Sequence, residues 1–305
     1  MRRQLLHMLV VVAFAAPPAH AEVVVGSFDP SGTARIFADA AQGDVAPVRT
    51  IGGPQTQLQN ATSFAFDGSR ADIYVGDFNG QAIRVFDARQ TGDRPATRTI
   101  TSGGLGQVRE IALDTVHDEL FAITLLSFVS TYPRGANGPT SSVRRIDWAG
   151  LPGSQTRIDN PSGLVYLPAQ DQLAVGDFQQ SGIDPAIGEI LFFARTANGG
   201  GPPARALRGA LTQLGNYIES LAFDRARNEL YALAVVQGAP DVHRIVVFGG
   251  DAAGDVAPLR VIEGPATLIS GQSTLGYDAK SERIWVATNG DRLVAFPRLA
   301  TGDAT

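Results

Sequence analysis

One stretch of the sequence recurs six times, and it limits the possible folds more than any other feature. Its first copy is Gly43–Ile51 (Gly-Asp-Val-Ala-Pro-Val-Arg-Thr-Ile), and five further copies begin near Gly92, Gly138, Gly199, Gly254 and Gly302. Six residues before each glycine stands an aromatic residue: Phe37, Phe86, Tyr132, Phe193, Phe248 or Phe296. Six copies in one register, 46 to 61 residues apart, indicate a repeat protein.

Three short apolar segments lie between consecutive copies. In one unit they are Ser63–Asp67, Ile73–Asp77 and Ile83–Phe86. Together with the glycine stretch they predict four short strands joined by hairpin-length turns, in a unit of about 50 residues. No segment has a sustained helical period. This strand count and period are typical of a β-propeller blade.

The number of predicted strands sets the number of blades. The second and third strands occur six times, and the first and fourth only five times. We therefore predict an all-β, six-bladed β-propeller of four-stranded antiparallel blades, in which the first blade lacks its inner strand and the last blade its outer strand. A five-bladed ring with extra edge strands is the alternative.

Proline and arginine recur in the predicted fourth strand, at Pro47, Pro203 and Pro258 and at Arg49, Arg98, Arg144, Arg205 and Arg260. Proline donates no ladder hydrogen bond, and an edge charge discourages aggregation between strands. The fourth strand is therefore predicted to form the outer edge of each blade. The arginine stems are expected to lie near the repeat aromatic across the hairpin.

The start of the chain has the features of an export signal. Arg2 and Arg3 precede the apolar run 9–16, and Ala19-His20-Ala21 is a small-x-small cleavage site. The run is shorter than the ~20 residues that span a bilayer. We expect a signal peptide at 1–21, one propeller domain at 22–305 and a periplasmic or secreted protein. Because the chain has no cysteine, neither disulfides nor a lipidated cysteine anchor is expected.

The segments Ser63–Asp67, Ile73–Asp77 and Ile83–Phe86 resemble the blades of NHL-repeat propellers, which run roughly Gly-Ile-Ala-Val-Asp, Ile-Tyr-Val-Ala-Asp and Arg-Ile-Gln-Val-Phe. Gly43–Ile51 is similar to the version found in exported bacterial propellers. The resemblance covers nearly all of 22–305. It implies the propeller fold and a protein that binds proteins, ligands or nucleic acid, since only some relatives are enzymes. A net charge of −5 at pH 7, without basic runs, argues against nucleic acid and anionic membranes as partners, and we expect a monomer.

The residue before each inner strand is expected at the mouth of the central channel. These residues are Thr62, Arg109, Ser162, Glu219 and Ser273. Three interpretations of Arg109 and Glu219 stay open: an ion pair across the channel, a site for a small polar ligand with a carboxylate on Arg109, or solvent exposure. Glu110 is a further candidate, since the strand phase is uncertain by one residue.

Four aspartates in loops complete the candidate ligand-binding set. Asp77 and Asp177 begin similar loops after second strands, where turn capping is commoner than cation binding. Asp184 and Asp241 lie in insertions, at 181–189 and 236–243, that extend one face of neighbouring blades beside Glu219. Neutral drift of the loops is the alternative for both insertions.

These residues favour a non-catalytic binding or scaffold module over an enzyme. Six-bladed, calcium-dependent lactonases of the gluconolactonase and regucalcin type place Glu, Asn and Asp ligands at the channel mouth. Only Glu219 suits that role here, and Arg109 would oppose a cation. No Gly-x-Ser-x-Gly elbow is present. We assign no catalytic residue, metal ligand or cofactor, and Ca²⁺ belongs only to the alternative of a lactonase-like hydrolase. The expected partner is a protein or a small polar ligand at the channel mouth.

Overall fold

A computed structural model of the chain describes residues 10–16, 20–27, 32–179, 187–271, 273–288 and 292–305. Three short 3-10 helices (Pro54–Thr56, Ala210–Thr212 and Pro265–Thr267) accompany the strands. No helix in this described part of the chain is long and apolar enough to cross a membrane. The strands are β1 (Val10–Ala16), β2 (His20–Gly26), β3 (Ala34–Ala38), β4 (Arg49–Ile51), β5 (Ala61–Asp67), β6 (Asp72–Asp77), β7 (Ala82–Asp87), β8 (Arg98–Thr101), β9 (Val108–Asp114), β10 (Glu119–Thr124), β11 (Val129–Pro133), β12 (Gly138–Pro139), β13 (Arg144–Ile146), β14 (Gly163–Leu167), β15 (Gln172–Gln179), β16 (Ile187–Ala194), β17 (Arg205–Leu207), β18 (Tyr217–Asp224), β19 (Glu229–Val236), β20 (Val242–Gly249), β21 (Arg260–Ile262), β22 (Thr274–Asp278), β23 (Arg283–Thr288) and β24 (Arg292–Pro297).

Hydrogen bonding joins these strands into six sheets, one for each blade. Blade 1 is β1–β4, blade 2 is β5–β8, blade 3 is β9–β11 with β13, blade 4 is β14–β17, blade 5 is β18–β21 and blade 6 is β22–β24. The strands of a blade are antiparallel, and only the short β12 joins blade 2 in parallel, beside β8. The predicted six-bladed, all-β propeller is confirmed, and the five-bladed alternative is wrong. Blade 6 has three described strands and no outer strand, as predicted.

Blade 1 differs from the prediction at its inner edge. The sequence predicts no inner strand here, whereas β1 pairs with β2 along its length, with Val12 opposite Val24. β1 lies inside the predicted export signal. The sequence alone did not indicate this strand, because a seven-residue apolar run is compatible with an inner strand as well as with a signal peptide. Cleavage after Ala21 would remove β1 and leave the three-stranded blade that the sequence predicts.

The repeat aromatic fills the interface between blades. Phe86 of blade 2 packs with Ile36 and Ile51 of blade 1, and Phe296 of blade 6 packs in the same way with Ile262 of blade 5. Both rings are at most 1% exposed. Burying one such side chain contributes about 1.5–3 kcal/mol, so the recurring ring stabilises the contact with the preceding blade.

The repeat glycine bonds to the outer strand of the preceding blade. The Gly92 N–H donates to Thr50 at 2.6 Å, and the Gly302 N–H donates to Val261 at 2.8 Å. Both glycines have positive φ, 78° and 65°, a conformation that costs glycine little. This connection closes the outer edge of a blade, which would otherwise expose unpaired backbone groups.

The aspartate after the repeat glycine caps a 3-10 helix in the preceding blade. Asp93 Oδ1 accepts the N–H groups of Gln55 and Thr56, at 2.7 and 3.3 Å. Asp255 and Asp303 accept equivalent bonds at the helices that begin at 210 and 265. The glycine stretch is therefore a connection between blades. Its prolines precede the outer strands instead of lying within them, which corrects the prediction.

The outer-strand arginines do not lie over the repeat aromatics, contrary to expectation. Arg98 pairs with Val85 in the β-ladder, so Phe86, the next residue, points to the opposite face. Arg98 instead bonds the Asp72 carboxylate and the Tyr74 hydroxyl, each at 2.9 Å. The arginine thus ties the outer strand of its blade to the second strand.

Candidate functional site

A cavity of about 650 Å³ lies where the inner strands begin. All five residues that the sequence places at the channel mouth line it: Thr62, Arg109, Ser162, Glu219 and Ser273. The residues that the sequence predicts at the channel mouth therefore lie around one cavity. Its other lining residues include Phe78, Phe178, Tyr217, Asp241 and His243.

β-Bulges aim three of these residues into the cavity. The ladders between first and second strands skip Thr62, Arg109 and Glu219, each of which lies opposite no single partner. A bulge leaves its extra residue unpaired and redirects the side chain. It also explains why Arg109 faces the mouth while Glu110 lines the channel below it.

Three of the mouth residues bond to the backbone at the start of the following blade. Thr62 Oγ1 donates to the Val108 carbonyl at 2.9 Å, and Ser162 Oγ donates to the Ile218 carbonyl. Arg109 Nη1 donates to the Pro161 carbonyl at 3.2 Å. The hydroxyls of Thr62 and Ser162 are occupied by these structural bonds, whereas the guanidinium of Arg109 has further donors.

The proposed ion pair between Arg109 and Glu219 does not form. Glu219 Oε2 lies 3.5 Å from Nδ1 of His243 and accepts the Ser273 N–H at 3.3 Å. The imidazole, 7% exposed, arrives on β20, whose start follows the inserted loop. Burial raises the pKa of Glu219, and the neighbouring His243 and Ser273 N–H offset part of that rise.

Arg109 has no carboxylate within 4 Å among the described residues. Burial lowers the pKa of its guanidinium, but an arginine stays protonated under any ordinary condition. Phe178 and Tyr217 form an aromatic wall of the same cavity, edge to face with centroids 5.2 Å apart. The mouth therefore combines an unpaired cation with an aromatic surface.

Asp77 and Asp177 do not line the mouth cavity, and their contacts are structural. Both are fully buried. Asp77 accepts the N–H groups of Asn60 and Gly80, at 2.9 and 3.2 Å, and pairs with Arg84. Burial raises the pKa of Asp177 to about 8, with the charge of nearby Glu189 adding to the effect. These contacts match the capping interpretation of the two loops.

The second insertion, 236–243, contributes Asp241 and His243 to the described site. Asp241 lines the cavity and is exposed, whereas Asp184 lies outside the described residues. The first insertion is shorter than predicted, because 187–189 belong to β16, which pairs with an equally long β15. Glu110 lies in the channel wall, where burial raises its pKa to about 8.

One group of potential metal ligands occurs in the described chain, at the opposite end of the inner strands. Ligand atoms of Asp114, His117 and Asp171 lie within 4.8 Å of one another. Arg195 Nε is 2.7 Å from Asp171 and 3.7 Å from Asp114, so a guanidinium already neutralises these carboxylates. At the mouth, Glu219 and Asp241 are the only carboxylates among the described lining residues.

The sequence places His243 at the end of the second insertion but does not predict its contact with Glu219, and the aromatic wall was not predicted. The similar loops Asp77-Phe78-Asn79 and Asp177-Phe178-Gln179 carry a signal for Phe78 and Phe178, whose rings both line the cavity. The scan against protein-family models and the search of curated proteins both match nothing to this chain.

Proposed function

We propose that this chain is an exported, NHL-like propeller that binds a small, carboxylate-bearing ligand at its channel mouth without transforming it. The observation that carries the proposal is Arg109, a partly buried guanidinium at a bulge, with one bond to Pro161 and no described carboxylate beside it. A charge-assisted bond to a ligand carboxylate would use its remaining donors. Phe178 and Tyr217 would cover an apolar body of that ligand.

The alternative is a metal-dependent, lactonase-like hydrolase that uses the same mouth. The pair Glu219 and His243 and the neighbouring Asp241 favour it, since they supply potential ligands or acid–base groups. A hard cation prefers several converging oxygen ligands, and the positive charge of Arg109 in the same cavity opposes one. The binding module is therefore the better supported function.

A thermal-shift screen tests the proposal. The ligands are ring-bearing carboxylates, each matched with its uncharged amide. We expect carboxylates to raise Tm through mass action, by an amount that grows with ligand concentration, and amides to leave Tm unchanged. Arg109→Gln should abolish the shift, while the exposed Arg89→Gln should retain it.

Three results would contradict the proposed function. Equal shifts with amides, or an unchanged shift in Arg109→Gln, would remove the role of the guanidinium. A Ca²⁺-dependent rise in Tm followed by lactone turnover that Glu219→Gln abolishes would establish the hydrolase instead.

A further inference from the structure

The cavity at the channel mouth carries charges of opposite sign at two separate places. Arg109 supplies a cation from blade 3, and Glu219 and Asp241 supply carboxylates from blade 5. We propose that the ligand of this cavity is a zwitterion, with a carboxylate at one end that binds Arg109 and an ammonium group at the other end that binds Glu219. This inference rests on the proposed function and specifies the class of ligand.

The two charged places lie on either side of blade 4. The inner strand of that blade, β14, packs against β9 of blade 3 on one side and against β18 of blade 5 on the other. Burial alone lowers the pKa of Arg109, so no described carboxylate is close enough to shift it. A ligand that reaches both places therefore has its two charged groups at opposite ends. An α-amino acid carries both on one carbon and fits this arrangement less well.

Glu219 lacks the cationic partner that comparable glutamates of this protein have. Glu119 and Glu229, whose side chains are 12% exposed, each pair with two arginines. Glu219 is 17% exposed and has no arginine or lysine within 4 Å among the described residues. Its contact with Nδ1 of His243, at 3.5 Å, is longer than a normal hydrogen bond. Because a mostly buried carboxylate is stabilised by a paired cation, an ammonium group on the ligand would supply the missing partner.

Tyr217 and Asp241 complete the acidic side of the cavity. Burial and the charges of Asp241 and Glu219 raise the pKa of the Tyr217 hydroxyl, which places this oxygen near both carboxylates. The charge of Asp241 also adds to the rise in pKa that burial causes at Glu219. An ammonium group has three N–H donors, and these three side chains offer oxygen acceptors for them. A bound cation would also relieve the repulsion between the two carboxylates.

The surface between the two charged places is apolar. Phe178 belongs to blade 4, lines the cavity and contacts the ring of Tyr217 edge to face. The hydroxyl of Ser162, also in blade 4, is already bonded to the Ile218 carbonyl. Ligand cavities of this kind use an apolar surface for the body of a ligand and a few polar groups for its ends. The part of the zwitterion between its charged groups should therefore be a hydrocarbon, such as a phenyl ring.

Isothermal titration calorimetry with the full chain tests the inference on four related ligands. para-(Aminomethyl)benzoate has both charges at opposite ends of a ring, and its isomer phenylglycine has both on one carbon. para-Ethylbenzoate keeps only the carboxylate, and para-(aminomethyl)benzamide keeps only the ammonium group. We expect para-(aminomethyl)benzoate to bind at least about tenfold more tightly than each of the other three, as one charged hydrogen bond provides.

Variants of the protein assign the two ends of the ligand. Glu219→Gln should weaken the binding of para-(aminomethyl)benzoate about tenfold and leave that of para-ethylbenzoate unchanged. Asp241→Asn, at an exposed position, should act in the same direction, and Arg109→Gln should weaken the binding of both ligands. Glu282→Gln is the matched control, because Glu282 is 48% exposed and does not line the cavity. Circular dichroism and Tm verify that each variant is folded.

Some results would overturn the zwitterion and leave the proposed function intact. One is equal affinity for para-(aminomethyl)benzoate and para-ethylbenzoate, with both lost in Arg109→Gln. Another is an unchanged preference for para-(aminomethyl)benzoate in folded Glu219→Gln and Asp241→Asn proteins. Phenylglycine that binds as tightly as its isomer would overturn the separation of the two charged groups.

Other results would overturn the proposed function and the zwitterion together. The first is that none of the carboxylates binds. The second is that Arg109→Gln leaves their affinities unchanged, or that para-(aminomethyl)benzamide binds as tightly as para-(aminomethyl)benzoate. In either case the guanidinium of Arg109 would have no role in recognising a carboxylate.

Discussion

The guanidinium of Arg260 donates to both oxygens of the Glu229 carboxylate, at 3.1 and 2.8 Å. The two side chains, 16% and 12% exposed, tie β21 to β19 across the strand between them. Arg144 forms the same pair with Glu119 in blade 3. This pairing explains the recurring arginine of the sequence as an internal tie of blades 1, 2, 3 and 5.

Removing this tie should destabilise blade 5. Arg260→Met leaves Glu229 with Arg298 and Tyr231 as partners. We therefore expect the free energy of unfolding to fall by about 1–3 kcal/mol, less than the 3–5 kcal/mol that breaking a fully buried pair costs. Arg89→Met is the control, because Arg89 and Asp87 form an exposed pair, which should change stability by less than ~1 kcal/mol. Equal Tm losses in the two variants would contradict a structural role for the Arg260–Glu229 pair.

Stability should fall as pH rises because of Glu110. Burial raises its folded pKa to about 8, above the ordinary value of 4.5 that it has in the unfolded chain. Between these values the unfolded chain has lost the proton that the folded chain keeps, so stability is highest below the lower pKa and falls as pH rises through the higher. Each pH unit costs at most ~1.4 kcal/mol. In thermal melts, the Tm of Glu110→Gln should exceed that of the wild type by an amount that grows from pH 5 to pH 8. A difference in Tm that does not change with pH would show that the pKa of Glu110 is the same in the folded and unfolded chains.

The cap that Asp303 provides should couple energetically to Gly264. Asp303 Oδ1 accepts the Ala266 N–H at 2.7 Å, and Asp303→Ala should cost about 1 kcal/mol, as other N-terminal caps do. Gly264 has φ 143°, and a Cβ there would collide with the Asp303 side chain. Gly264→Ala should therefore cost about 1–3 kcal/mol. In denaturant titrations the double variant should lose less free energy of unfolding than the two single variants together. The reason is that Asp303→Ala removes the side chain with which the new Cβ at position 264 would collide. Strict additivity would exclude this contact.

A chain that begins at Glu22 tests the contribution of β1. It lacks the strand that pairs with β2, so we expect a lower Tm than for the unprocessed chain. Val12→Pro in the unprocessed chain should lower Tm in the same direction, since proline donates no hydrogen bond to the ladder. If the shortened chain melts at the same temperature, blade 1 does not require β1, and the segment serves only as the predicted signal.

Part of the candidate site was predictable because it follows the repeat. Arg109 and Glu219 occupy equivalent positions in two blades, so counting residues along the period places both at the channel mouth. The partner of Glu219 was not predictable in this way. His243 stands 24 residues further along the chain, and its approach depends on the path of an inserted loop. The arginine–aromatic pairing failed for a related reason, since the strand register decides which face of the blade each side chain occupies.

The sequence by itself determined the all-β propeller, its six blades and the equivalent positions of Arg109 and Glu219 at the start of inner strands. These features follow from the period of the apolar segments and turns, which are local along the chain. Only the tertiary structure decided that bulges aim Arg109 and Glu219 into one cavity and that Glu219 pairs with His243. Such contacts join residues of different strands and blades, and their geometry depends on register and on side-chain direction, which a repeat pattern does not contain.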